Sequence, residues 1–222
     1  MKINEYIDHT KLGPLVTQEQ IDQLLEEAKK YHFKSVCVTP IWVSYAKSVL
    51  KDSNVLVCTV IGFPHGSHLS KVKAFETKLA VKDGADEIDM VINVTAVKAR
   101  QRADVVKDIR AVVKSAQGKT VKVIIETALL DNKDIAWVSK LVIKAGAQFV
   151  KTSTGYASRG ATVEDIKVIK KAIKDTGLIK ASGGIRSQSD ALKMIEAGAN
   201  RLGTSQGVKL VEGESVNANT SY

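Results

Sequence analysis

The chain has 222 residues, 44% of them hydrophobic, with no break in composition, so it can bury a sizeable core as one domain. No stretch approaches membrane-spanning length, and the start at Met1-Lys2-Ile3-Asn4-Glu5 lacks a signal peptide's apolar run, which argues against a membrane partner and for the cytoplasm. The net charge of +9 would suit nucleic acid or anionic small substrates, but lysines such as Lys167, Lys170, Lys171 and Lys174 interleave with acids on helical segments, so a solvated surface is expected and no nucleic acid.

Tyr6-Ile7-Asp8-His9-Thr10 reads as a short strand ended by Gly13-Pro14. Thr17 and Gln20 form a capping box, and Ile21, Leu24, Leu25 and Ala28 follow at helical spacing. A second strand over 35–39 is stopped by Pro40, and a helix through Val43, Ala46 and Leu50 leads to a third strand over 55–61. Cys37 and Cys58 lie in these strands beside valines and suit reduced core thiols better than disulfides or metal ligands. A helix marked by Val72, Phe75 and Leu79 ends at Gly84, ahead of a fourth strand over 87–92. Val105, Ile109, Val112 and Val113 mark the next helix, and a fifth strand covers 121–126. Ile135, Val138, Leu141 and Val142 mark another, which ends at Gly146 before the strand that carries Lys151. Thr162 caps a helix with Ile166, Ile169 and Ile173, and Ser187 caps one with Leu192 and Ile195; strands over 178–182 and 200–204 follow them.

Eight strands alternating with helices in one domain predict a parallel sheet closed as a (β/α)8 TIM barrel over 1–211. An open doubly wound sheet is the alternative, but it usually carries a glycine-rich fingerprint after its first strand, and none is present. Gly84-Ala85, Gly146-Ala147 and Gly198-Ala199 each join a helix to a strand, as helix C-caps should. Residues 212–222 lack periodicity and are expected to form a flexible tail.

In such a barrel the strand C-termini converge on one mouth, here bearing Asp8, Thr10, Cys37, Thr39, Asp89, Asn93, Glu126, Lys151, Lys180, Thr204 and Ser205, while strand interiors should stay apolar. Lys151 and Lys180 fall on consecutive strands, so their amines should repel; burial favours an uncharged amine, the form that attacks a carbonyl. Asp89, two strands before Lys151, could hold the other amine charged. Gly183-Gly184 and Gly203-Thr204-Ser205, with a short helix at 208–210, suit the fold's phosphate site, with Arg186 at its rim. His65 and His68 have ligand-like spacing without a third ligand, so no metal is expected. Glu126 is either catalytic or part of a polar layer beneath the site. These features fit a Schiff-base enzyme, or another phosphate-binding barrel enzyme in which Lys151 stays charged.

The strings Ile7-Asp8-His9-Thr10, Glu87-Ile88-Asp89-Met90-Val91-Ile92-Asn93, Val123-Ile124-Ile125-Glu126-Thr127, Phe149-Val150-Lys151-Thr152-Ser153-Thr154-Gly155, Lys180-Ala181-Ser182-Gly183-Gly184-Ile185-Arg186 and Arg201-Leu202-Gly203-Thr204-Ser205 resemble the deoxyribose-phosphate aldolase family, in order and over nearly the whole chain. The resemblance implies a class I aldolase, homodimeric and without cofactor or metal, that reversibly cleaves 2-deoxy-D-ribose 5-phosphate to D-glyceraldehyde 3-phosphate and acetaldehyde. It implies Lys151 as the Schiff-base residue, Lys180 and Asp89 as proton donor and acceptor, and phosphate contacts at Gly155, Gly183, Gly184, Gly203, Thr204 and Ser205. Gln206 stands where many members have a second serine, and Tyr222 where some end in a tyrosine that takes part in proton transfer.

Overall fold

A computed structural model describes residues 2–213. Its strands are β1 (Ile7–Lys11), β2 (Ser35–Val38), β3 (Leu56–Ile61), β4 (Glu87–Val91), β5 (Thr120–Ile124), β6 (Phe149–Lys151), β7 (Leu178–Ser182) and β8 (Arg201–Thr204). They pair in parallel in chain order, and β8 closes on β1 to complete the expected barrel. Outside the barrel lie α1 (Gln18–Lys30), α2 (Val43–Val49), α3 (Ser70–Lys82), α4 (Val94–Lys98), α5 (Arg102–Ser115), α6 (Asn132–Lys144), α7 (Val163–Ile173), α8 (Gln188–Glu196) and α9 (Gly207–Glu212). Of the tail expected over 212–222, Glu212 ends α9 and Gly213 caps it, while 214–222 fall outside the described residues, Tyr222 included.

The local signals act as read. Thr17 and Gln20 close a reciprocal capping box at α1, Thr162 does the same with Asp165 at α7, and Ser187 accepts the Asp190 amide at α8. Gly84, Gly146 and Gly198 adopt φ of +107°, +102° and +117°, a region open to glycine, and so turn the chain from helix to strand. The main core lies between wall and helices, where Val36, Ile88, Val123, Val150, Ile179 and Leu202 meet Ile21, Leu25, Ile109, Ile135 and Ile169.

One helix departs from the pattern. Val72, Phe75 and Leu79, which marked α3, are exposed, and Lys73, Thr77 and Ala80 are buried in their place. The apolar stripe faces away from the barrel because α3 seats Lys73 on Asp108 of α5, at 2.7 Å.

Candidate active site

Alternate residues of each strand point into the barrel, and several of them are charged. Asp89 on β4 sits at the centre: its Oδ2 accepts from Lys151 Nζ at 2.8 Å and from Lys180 Nζ at 2.7 Å, and its Oδ1 from Lys122 Nζ at 2.9 Å. Lys180 also reaches Asp8 at 2.5 Å, Lys122 reaches Glu87 at 2.6 Å, and Arg201 joins Asp8 at 2.6 Å to Glu87 at 3.0 Å. The expectation that the strand interiors stay apolar is therefore wrong. Charges fill the middle of this barrel, and they are tolerated in low dielectric because each meets an opposite charge.

Lys151 and Lys180 are register partners on β6 and β7, so their amines leave the wall side by side. Burial favours neutral forms throughout, and the mutual charges override it. Asp89 is held well below the usual carboxylate range by Lys122, Lys151 and Lys180, and Asp8 by Lys180, Arg201 and Lys122. Lys180 is in turn raised well above the ordinary amine range by Asp8 and Asp89, and Lys122 is raised chiefly by Asp89. Glu87, Lys122 and Arg201 escaped the sequence reading as site residues. The signal for Lys122 was a lone lysine between Val121 and Val123.

The hydroxyl run after Lys151 stitches two strand ends together. Thr152 Oγ1 accepts the Ser182 amide at 3.1 Å, and Ser182 Oγ donates to the Ser153 carbonyl at 2.6 Å. Thr154 donates through its amide and hydroxyl to Glu126 Oε2. Glu126 lies beyond β5 at φ +53°, a left-handed value uncommon outside glycine, which corrects its expected place on the strand.

Gly155 after β6 and Gly183 after β7 converge, and Gly203 lies within β8 against Lys180. A Cβ added to Gly183 would lie 3.6 Å from Gly155 Cα, and one on Gly203 would lie 3.0 Å from Lys180 Cε. Gly184 is exposed at φ +75°, and Arg186 is exposed beyond it. Thr204 Oγ1 accepts the Gln206 amide at 3.0 Å. Ser205 lies to the side, lining a cavity of about 300 Å³ between α1 and α9 with His9, Lys11, Gln206 and Lys209. His65 and His68 are exposed in the loop after β3.

The profile of the DeoC/LacD family aldolases matches residues 3–211. The chain belongs to that family. It is an aldolase, a carbon–carbon lyase, on a TIM barrel. It is 69% identical to the deoxyribose-phosphate aldolase of Acholeplasma laidlawii over the whole of both chains. It is 57% identical to deoxyribose-phosphate aldolase 1 of Staphylococcus aureus, over 96% of this chain and 97% of the relative. Among solved structures, a putative deoxyribose-phosphate aldolase from Coccidioides immitis superposes with a TM-score of 0.93 at 42% identity, covering 95% of this chain and 85% of that one. A tetrameric deoxyribose phosphate aldolase from Aeropyrum pernix gives 0.89 at 34% identity, covering 95% and 89%.

Proposed function

We propose that this aldolase cleaves 2-deoxy-D-ribose 5-phosphate to D-glyceraldehyde 3-phosphate and acetaldehyde through an imine on Lys151. The observation that carries the reading is the single oxygen, Asp89 Oδ2, shared by Lys151 and Lys180. Asp8, Glu87 and Asp89 supply three negative charges to this network, and Lys122, Lys180 and Arg201 supply three positive ones. Lys151 is the one cation beyond balance in this buried network, so it is the amine we propose to give up its proton before attacking the aldehyde. Lys151 is the last residue of β6, at the C-terminal end of that strand, which supports this reading.

Attack on C1 gives a carbinolamine, and loss of water leaves a protonated imine. That cation makes the network positive by one charge, so Lys180 is driven toward releasing a proton. Asp89 is too strongly ionised to be an effective base alone, and it acts with Lys180: the pair takes the C3 hydroxyl proton as the C2–C3 bond breaks, and returns a proton to C2 of the enamine. Hydrolysis then frees acetaldehyde. The phosphate is held by the rim of Gly155, Gly183, Gly184, Gly203 and Thr204, with Ser205 and Gln206 beside it on the cavity next to α1 and α9. Binding there orients C1 over Lys151 at a distance from the reacting bond. Borohydride reduction in the presence of substrate, with peptide mapping, tests the reading: the adduct is expected on Lys151, and substrate turnover without a trappable adduct would overturn it.

The homodimer is proposed on a separate observation. Leu69, Val72, Phe75 and Leu79 make an exposed apolar strip along α3, with Phe75 63% accessible. Phe75→Asp is expected to shift the sedimentation coefficient from dimer to monomer with the barrel intact; an unchanged coefficient would place the interface elsewhere.

A further inference from the structure

Cys37 and Cys58 are buried nucleophiles that the mechanism leaves unused. They are register partners on β2 and β3, and their sulfurs lie within 4.8 Å of each other and of an Asp89 carboxylate oxygen. Cys58 donates its thiol to Asp89 Oδ1 at 3.2 Å, and Lys122 Nζ is 3.4 Å from the same sulfur. Leu12, Val60 and Phe63 enclose the pair.

Two thiols and a carboxylate this close have the donor types of a metal site. The surrounding charge argues against a cation, because both Asp89 oxygens are taken by Lys122, Lys151 and Lys180, and a divalent ion would enter among their ammonium groups. The same ammonium groups favour a thiolate. The neighbouring Cys58 holds the Cys37 thiol below its ordinary value against the effect of burial, and Lys180 and Lys151 add to that. Burial pushes Cys58 well up, with Cys37 and Asp89 reinforcing it. The two sulfurs are thus unequal, one suited to attack and the other to resolve.

We propose that Cys37 and Cys58 form a dithiol on the active-site wall that hydroperoxides oxidise to a disulfide, with loss of aldolase activity. Cys37 sulfur attacks the peroxide, the O–O bond breaks, and the departing oxygen leaves as water or alcohol with a proton. Cys58 sulfur then attacks the resulting sulfenic acid, the S–S bond forms, the S–O bond breaks, and the hydroxide departs as water with the Cys58 proton. Two thiols are oxidised and one hydroperoxide is reduced. Paired residues on neighbouring strands stand about 4.8 Å apart, within the Cα range that a disulfide spans. Both cysteines are fully buried, so the oxidant proposed is a small hydroperoxide. Closure removes the thiol that Cys58 donates to Asp89, and so loosens the carboxylate that positions both lysines. That loss of activity rests on the imine reading given above, whereas the cross-link does not.

The test exposes the full chain to hydrogen peroxide, then titrates thiols after denaturation and maps peptides without reduction. Both thiols are expected to disappear together and a Cys37–Cys58 linked peptide to form. Cleavage should fall roughly a hundredfold, the scale of an ångström's displacement of a positioned group, and return with dithiothreitol. Cys58→Ser should leave Cys37 as a sulfenic acid trappable by dimedone, and Cys37→Ser should leave Cys58 resistant. Thiols that survive peroxide, or that are lost without the linked peptide, overturn the proposal. A linked pair with undiminished cleavage overturns its connection to the active site, whatever the outcome of borohydride trapping on Lys151.

Discussion

Lys73 and Lys180 are both fully buried lysines with an aspartate oxygen at 2.7 Å. Lys73 sits outside the barrel wall with one carboxylate, Asp108, and the Val91 carbonyl, and there burial lowers its pKa despite the partner. Lys180 sits inside with two carboxylates, and they raise it despite its burial. Burial of an amine is thus no sign of catalysis. What separates the two places is the carboxylate Lys180 shares with a second amine, Lys151, in a network that balances only when one amine is neutral.

The largest effect should follow removal of that surplus amine. Lys151→Ala is expected to abolish cleavage and adduct trapping while the circular dichroism stays native; substantial cleavage by this variant would remove Lys151 from the chemistry. Lys180→Leu should come next, losing about 10²–10⁴-fold in turnover, as for loss of a positioned acid–base group. Turnover within about tenfold of the parent chain would remove Lys180 from the proton transfer.

Asp89→Asn sharpens the comparison through stability as well as rate. Breaking a buried ionic cluster in this way costs about 3–5 kcal/mol. The folded Asp89 has a depressed pKa, so its contribution is present above the unfolded carboxylate pKa of about 3.9 and is lost as pH falls further. The variant should accordingly show a shallower loss of unfolding free energy below about pH 4 than the parent chain. Equal slopes would mean that other carboxylates carry the acid response.

These contrasts were unevenly legible in the sequence. The strand count and the adjacency of Lys151 and Lys180 could be read, because both lysines end apolar runs in consecutive units and parallel pairing without slippage puts them in register. Glu87, Lys122 and Arg201 could not be placed the same way. A single charge next to an apolar residue looks like the solvent face of a strand, and only closure of the ring turns that face inward. Helix α3 misled for the opposite reason: helical spacing of Val72, Phe75 and Leu79 specifies a face without saying what the face meets. The glycine rim was readable in part, since Gly155 and Gly183 converge, whereas Ser205 turns toward α1 and α9 at the very point where Gln206 departs from the family pattern.

The smallest effect on turnover, and the strictest check on the comparison, belongs to Lys73. Lys73→Met leaves Asp108 buried with only the Ser70 hydroxyl, at 2.8 Å, to satisfy it among the side chains of the described residues, which should cost about 3–5 kcal/mol of stability. Adding Asp108→Leu should recover much of that loss, because a well-packed apolar pair replaces a buried ionic one at little net cost. Turnover per folded molecule should be unchanged in both variants, since Lys73 meets the barrel at the Val91 carbonyl, at the end of β4, and at Gly62, just after β3, away from the Asp89 network. A fall in turnover in the double variant, with stability restored, would show that the amine under α3 reaches the chemistry and that the two lysines are not as separate as their partners make them.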